Sequence, residues 1–342
     1  MKSFRLLMGV LVGCALASVL AGAQSADTSA AHRAVARNLA GKEFPELLAS
    51  VCPEPRPQQA AAGRAGAAGA AAGRGAVAPA ARQVPARDTW HREPAKVFDN
   101  LYFVGQTEYS AWAVTTSDGI IIIDTIFDYS VEDEVVGGLK TLGLNPSQIK
   151  YVIVSHGHFD HSGGARFLQD TYKARVLMSE ADWNLLARNP NAVQPRRDMV
   201  VTDGMKLTLG DTTLTLYLTP GHTPGTISTL IPVKDNGRPH LMAEWGGTGF
   251  NFTITPDKQR DYWYKTYMES AQRFREAARQ AGADGVIANH TNLDGSKRKL
   301  PVLAARKPGD PNPYVMGTEA VMRYLTIAEE CAKAGLAEME GR

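Results

Sequence analysis

A chain of 342 residues with 44% hydrophobic and 21% charged residues has an ordinary globular balance. That excludes wholesale disorder and collagen-like repeats. Thirty-seven Lys and Arg against 35 Asp and Glu leave a formal charge of +2, so the composition gives no support for nucleic acid as a partner. Three cysteines are too few for a disulfide scaffold or a cysteine-rich zinc finger.

Residues 1–23 read as an export signal. Lys2 and Arg5 precede an uncharged apolar run from Leu6 to Leu20, and Ala21-Gly22-Ala23 is a small-residue cleavage pattern. A membrane anchor is the alternative, since the run is almost long enough to span. Leu11-Val12-Gly13-Cys14 leaves a lipoprotein anchor at Cys14 as a further option. Cleavage after Ala23 predicts a periplasmic or secreted chain with no stable membrane span. It leaves Cys52 and Cys331, which an oxidising compartment would allow to pair. Residues 24–56 hold a short helical pattern (Val35, Leu39, Phe44, Leu47, Leu48) that stops at Pro53 and Pro55. Residues 57–87, dominated by Ala, Gly, Arg and Pro, read as a linker without the apolar content for a core.

From residue 88 to 342 the texture becomes strands alternating with helices, which implies an α/β domain. Leu101–Gly105, Ala111–Thr115 and Gly119–Asp124 read as short strands. Val131–Leu142 reads as a helix with Val135, Leu139 and Leu142 on one face. Tyr151–Val154 is a buried strand, Ala165–Tyr172 a helix, and Arg175–Met178 a strand. Leu207–Leu209, Leu214–Leu218 and Ile227–Ile231 add three strands. Thr255-Pro256-Asp257 reads as a helix start, with Gly282 as its stop. Val286–Ala288 is a last short strand, and a final helix runs from about Thr318.

The chemistry concentrates after the buried strand, in Ser155-His156-Gly157-His158-Phe159-Asp160-His161-Ser162-Gly163-Gly164. Three histidines and an aspartate in six residues are a metal-ligand pattern, because imidazole nitrogen and carboxylate oxygen are what zinc accepts besides thiolate. Gly163 and Gly164 are expected to let the chain turn into the next helix. His222, in Pro220-Gly221-His222-Thr223-Pro224-Gly225, and His290, after Val286-Ile287-Ala288-Asn289, also follow strands. The six side chains can fill two three-ligand shells, each leaving a position open for water or substrate.

These motifs, in this order, resemble the metallo-β-lactamase fold superfamily of hydrolases, over about Pro94 to Leu300. The resemblance implies an αββα four-layer sandwich. It implies two zinc ions: one held by His156, His158 and His222, the other by Asp160, His161 and His290. Asp124, which ends the Gly119–Ile123 run, would orient a ligand. The absence of cysteine between Cys52 and Cys331 is most like the third metallo-β-lactamase subclass, whose ligands are His and Asp. Where many relatives carry a metal-bridging aspartate, and that subclass a serine, this chain has Leu241-Met242-Ala243-Glu244-Trp245-Gly246. Glu244 is therefore a candidate bridging or substrate-contacting residue, with a solvated or hydrogen-bonded strand-end carboxylate as the alternative.

The resemblance implies a small-molecule substrate, a strained cyclic amide (a β-lactam), opened by a metal-bound hydroxide that Asp160 orients as the catalytic carboxylate. A lactone, thioester or other ester is the alternative substrate class. Tyr109, Trp112 and Phe159 are open between pocket wall and core packing.

Overall fold

The computed structural model describes residues 27–53, 84–188 and 193–342. The expected export signal and nearly all of the expected linker lie outside them. The described chain opens with α1 (Ser29–Ala40), capped by the Thr28 hydroxyl, and α2 (Pro45–Val51), which begins on a proline. Strands β1 (Ala95–Lys96), β2 (Leu101–Phe103), β3 (Trp112–Thr116) and β4 (Gly119–Ile123) follow as an antiparallel meander. Where the periodicity suggested one helix from Val131 to Leu142, a wide-turn π segment, Glu132–Val136, runs into α3 (Gly137–Thr141).

Strand β5 (Ile149–Ile153) leads into α4 (Phe159–Ser162) and α5 (Ala165–Tyr172). Then come β6 (Arg175–Ser179), α6 (Glu180–Ala187) and β7 (Met199–Val201). Strands β4 to β7 pair in parallel and complete a seven-stranded sheet. Strands β8 (Met205–Leu209), β9 (Thr212–Leu218), β10 (Ile227–Asp235) and β11 (Arg238–Trp245) form antiparallel hairpins. After α7 (Arg260–Ala281), β12 (Gly285–Ala288) adds to β11 in parallel and makes this second sheet five-stranded. Helices α8 (Ser296–Ala304) and α9 (Thr318–Met339) end the chain. Helix α7 starts four residues after Pro256, because Thr255 and Lys258 instead exchange two backbone hydrogen bonds of 3.1 Å across a tight turn.

The layering follows from the alternation of side chains along strands. In β4, Ile121 and Ile123 point into the core between the sheets, where they meet Leu177, Leu214, Ile231 and Met242. Ile120 and Ile122 point the other way, into a core with Val135, Leu139 and Leu168 from the helical side. A strand buried on both faces has to be apolar throughout, which accounts for four consecutive isoleucines. On the far side, Leu230, Ala243, Trp245 and Val286 pack under Tyr267, Phe274, Val321 and Tyr324 of α7 and α9. The result is the expected helix–sheet–sheet–helix sandwich.

The N-terminal pair α1 and α2 lies on that far side. Ala36, Ala40, Phe44 and Leu47 join the same core, and a Cys52–Cys331 disulfide ties the end of α2 to α9. Ser50 accepts a hydrogen bond of 3.1 Å from Asn292, in the loop that carries His290. Among the described residues no helix is long and apolar enough to cross a membrane.

Candidate metal centre

The residues with metal-ligand chemistry sit where strands of both sheets end on one edge. His156 and His158 lie in the extended stretch after β5. His158 is the N-cap of α4, so Asp160 and His161 fall in that helix's first turn. The change from extended to helical backbone at His158 sends the second pair away from the first. His222 follows β9, and His290 follows β12. Gly163 and Gly164 play a different part from the expected one. Both have ordinary right-handed backbone, Gly163 as the α4 C-cap at φ −60° and Gly164 as the α5 N-cap at φ −84°. A Cβ at Gly164 would lie 2.5 Å from Thr125 O and Val131, so close packing, not turning, demands glycine there.

The six side chains converge as two separate groups: His156, His158 and His222, and Asp160, His161 and His290. In each group the ligand atoms lie within 4.8 Å of one another. His222 Nε2 is 3.1 Å from His156 Nε2 and 3.1 Å from His158 Nδ1. His161 Nε2 is 3.2 Å from His290 Nε2 and 3.2 Å from Asp160 Oδ2.

The outer partners fix which nitrogen faces inward. His156 Nδ1 donates to Gly246 O at 2.8 Å, and His222 Nδ1 donates to Gly249 O at 2.6 Å. Their Nε2 atoms therefore point lone pairs at each other across 3.1 Å. Such an arrangement is repulsive unless a cation is shared, so the donor set fits a bound metal ion. In the second group His161 Nδ1 donates to Asp124 Oδ2 at 2.9 Å. Asp124 is completely buried, also accepts from Ser155 N and Ser155 Oγ, and sits at φ +58°. A left-handed aspartate at a strand end is uncommon and here aims the carboxylate at His161.

Charge separates the groups. Burial, aided by the neighbouring histidines, holds His156 well below the ordinary imidazole range and His222 at about 3. Burial lowers His158 as well. These rings are neutral and ready as ligands. Burial and the charge of His161 push His290 down to about 3. Burial also opposes charge on His161, but Asp160 and Asp124 outweigh it and push that ring up to about 10. Burial works against the Asp160 charge too, yet His161 overrides it and keeps the carboxyl well below the usual carboxylate range.

Residues 104–235 match the metallo-beta-lactamase superfamily profile. Over that stretch the chain is similar to the superfamily. The subclass B3 metallo-beta-lactamase BJP-1 of Bradyrhizobium japonicum is 26% identical in sequence. It aligns with a TM-score of 0.62 over 73% of this chain and 96% of that one. The metallo-beta-lactamase FEZ-1 of Legionella gormanii is 25% identical, with a TM-score of 0.64 over 73% of this chain and 98% of that one. The N-acyl homoserine lactonase of Bacillus cereus is 33% identical over 129 residues, 35% of this chain and 48% of the relative. The chain thus spans about half the length of the curated relatives it matches first. A superfamily likeness was expected from the motifs, and the subclass B3 neighbour agrees with the cysteine-free ligand set.

Glu244 stands outside both groups. It is fully buried on β11 opposite Thr229 of β10, and neither carboxylate oxygen has a hydrogen-bond partner. Burial, then the nearby Asp124 charge, pushes its carboxyl well above the ordinary glutamate value. Trp112 packs internally, with Nε1 donating to Ala288 O at 3.0 Å. Tyr109 does stand beside the site, its ring 5.1 Å from His290 and 4.8 Å from Phe127, and Phe159 meets the same Phe127 at 5.9 Å.

Four partners escaped the sequence reading. The carbonyls of Gly246 and Gly249 are backbone atoms, which no side-chain motif marks. Asn289, next to His290, donates to Gly246 O at 2.6 Å and so braces the carbonyl that His156 uses. Asp182, fully buried, accepts from Gly157 N, Thr223 Oγ1 and Gly225 N. Its only sequence signal is the Ser179-x-x-Asp182 pattern of a helix start.

Proposed function

We propose that this chain is an exported, metal-dependent hydrolase that opens a strained cyclic amide, the β-lactam ring. The observation that carries this reading is the pair of cysteine-free groups, each with three convergent ligand atoms. The near-complete coverage of the BJP-1 and FEZ-1 chains supports the same reading. Two zinc ions held by these groups would supply carbonyl polarisation and a water acidified from 15.7 to about 7.

The protein's own part is orientation and proton control. Asp160, held ionised beside His161, has a side chain one-quarter exposed. It accepts a hydrogen bond from the attacking water and aims the water's oxygen at the carbonyl carbon. Asp124 fixes the His161 ring through Nδ1, and the Gly246 and Gly249 carbonyls fix His156 and His222. No serine or cysteine nucleophile is needed. Residues 88–342 form the hydrolase unit in this reading, with α1 and α2 of the N-terminal segment docked on it. The Cys52–Cys331 disulfide supports export after cleavage of residues 1–23, since such bonds persist in oxidising compartments.

A second reading is a lactone or other ester, and two observations favour it. The matched relative from Bacillus cereus is an N-acyl homoserine lactonase. The aromatic face of Tyr109 and Phe127 next to His290 suits an acyl or aryl arm. The test is a panel of nitrocefin, a carbapenem, an N-acyl lactone and a thioester, with the metal analysed before and after chelation. Nitrocefin or carbapenem turnover that disappears on chelation and returns with zinc is expected. Turnover that survives complete metal removal overturns the metal mechanism. Lactone hydrolysis without β-lactam hydrolysis overturns the first substrate class in favour of the second.

A further inference from the structure

We infer that Asp182 is a positioning residue for the first ligand group, its single carboxylate clamping together the two loops that deliver His156, His158 and His222. The inference rests on the metal-centre reading and concerns only how the protein preorganises it. Asp182 belongs to neither ligand group and to no motif that marked the site in the sequence.

The geometry is specific. Oδ2 accepts from Gly157 N at 2.8 Å and from Thr223 Oγ1 at 2.7 Å, while Oδ1 accepts from Gly225 N at 2.8 Å. Gly157 lies between His156 and His158, and Thr223 directly follows His222. All three histidines of the group are thus one residue from a donor that this carboxylate holds. The second group receives no contact from it.

The local sequence predicts something else for this residue. Ser179 is the N-cap of α6, and its hydroxyl accepts from Asp182 N at 3.2 Å. An acid at the third helical position ordinarily reaches back to the backbone N–H of the cap residue. Here both oxygens turn outward to the metal loops. The helix start serves as a rigid base, and the carboxylate is spent across the fold.

Gly225 gives independent support. A Cβ there would sit 1.9 Å from Ser179 Oγ and 2.7 Å from Asp182 N. The last glycine of Gly221-His222-Thr223-Pro224-Gly225 is therefore required by contact with the turn that carries Asp182. Thr226 completes the arrangement, its hydroxyl accepting from Thr223 N at 3.0 Å and lying 2.8 Å from Thr223 Oγ1. Only a carboxylate suits three converging donors. An amide would turn its NH2 either on Gly225 N or on the Gly157 and Thr223 pair.

The experiment compares wild type, Asp182→Asn, Thr223→Val, Thr223→Ser and the Asp182→Asn/Thr223→Val double variant as full-length, metal-free protein. Zinc is titrated against a chromophoric chelator, and histidine ring resonances report which group fills. Backbone amide exchange is read at Gly157 and Gly225 without metal. Asp182→Asn should weaken the first group about 10–100-fold, the range seen when an outer partner of a ligand is lost. The second group should keep its affinity within about threefold, and exchange at the two glycines should accelerate. Thr223→Val should weaken the same group less, Thr223→Ser should restore it, and the double variant should fall short of additivity. Equal weakening of both groups would make Asp182 a general stability residue and overturn the inference. So would wild-type affinity in folded Asp182→Asn. If Asp182→Asn does not fold, unchanged affinity in Thr223→Val overturns it. Wild type that takes up no zinc in either group overturns the metal-centre reading itself, which is a separate result.

Discussion

The two ligand groups match in number and differ in electrostatic construction. His156, His158 and His222 are neutral rings in a buried setting, steered by the carbonyls of Gly246 and Gly249. Asp160, His161 and His290 include a carboxylate, and His161 lies between the acids Asp124 and Asp160. A neutral group accepts a cation without releasing a proton. The second group offers negative charge but holds a proton on His161 until a cation displaces it. Preorganisation thus takes two forms in one site, one through main-chain dipoles and one through charge.

The harshest way to break the comparison is to remove a ligand from one side only. His222→Ala should weaken metal binding at the first group by more than about 100-fold, beyond the loss expected from an outer partner. It should leave the second group filled, and turnover should fall by about three orders of magnitude. Metal analysis with substrate kinetics checks this, and simultaneous loss of both metals would show that the groups are not separable. A milder change is Asp124→Asn, which keeps the shape but removes the charge that His161 Nδ1–H points at. A loss of about 10–100-fold at the second group is expected, with the first unaffected.

Proton release sharpens the contrast further. His161 is pushed up to about 10 by its flanking acids, so metal uptake at the second group must displace a proton across the neutral range. Apparent affinity there should rise about tenfold per pH unit from pH 6 to 8. At the first group the lowered imidazoles are already unprotonated, so its affinity should be nearly flat over the same interval. Chelator competition at several pH values measures both slopes. Parallel slopes would refute the electrostatic distinction.

Much of this was legible in the sequence for a physical reason. The ligand cluster is local, with three histidines and an aspartate in six residues, and the strands that carry the ligands are short apolar runs that end at polar loops. The apolar run of β4 reads as a strand, and the structure adds that its four isoleucines are buried on both faces. Strand β11 went unread because Arg238-Pro239-His240 breaks the apolar pattern, although Asn236-Gly237, both at positive φ, form a tight hairpin turn. The helix expected from Pro256 starts at Arg260, since a proline fits a turn as well as a first helical position. Asp182 and the two glycine carbonyls act through contacts 25–90 residues apart in sequence, which no local pattern encodes.

The smallest expected effect concerns Glu244, which separates a metal ligand from an acid merely buried beneath the second group. Its oxygens make no hydrogen bond, and burial with the Asp124 charge raises its carboxyl well above the ordinary value. The folded protein therefore holds a proton on Glu244 that the unfolded chain releases above its own value of about 4.3. Because the folded-state value is raised, the stability contribution is complete at low pH and declines as pH rises, by at most about 1.4 kcal/mol per unit. Glutamine cannot ionise in either state. Glu244→Gln should lie within about 1 kcal/mol of wild type near pH 5, and its stability relative to wild type should improve toward pH 8. Urea unfolding of metal-free protein at pH 5 and pH 8 reads this difference directly. Zinc affinity should be unchanged by the same substitution. A tenfold or larger fall at the second group, with no relative gain in stability at pH 8, would place Glu244 among the ligands and erase the boundary between the coordinating acids and the buried one.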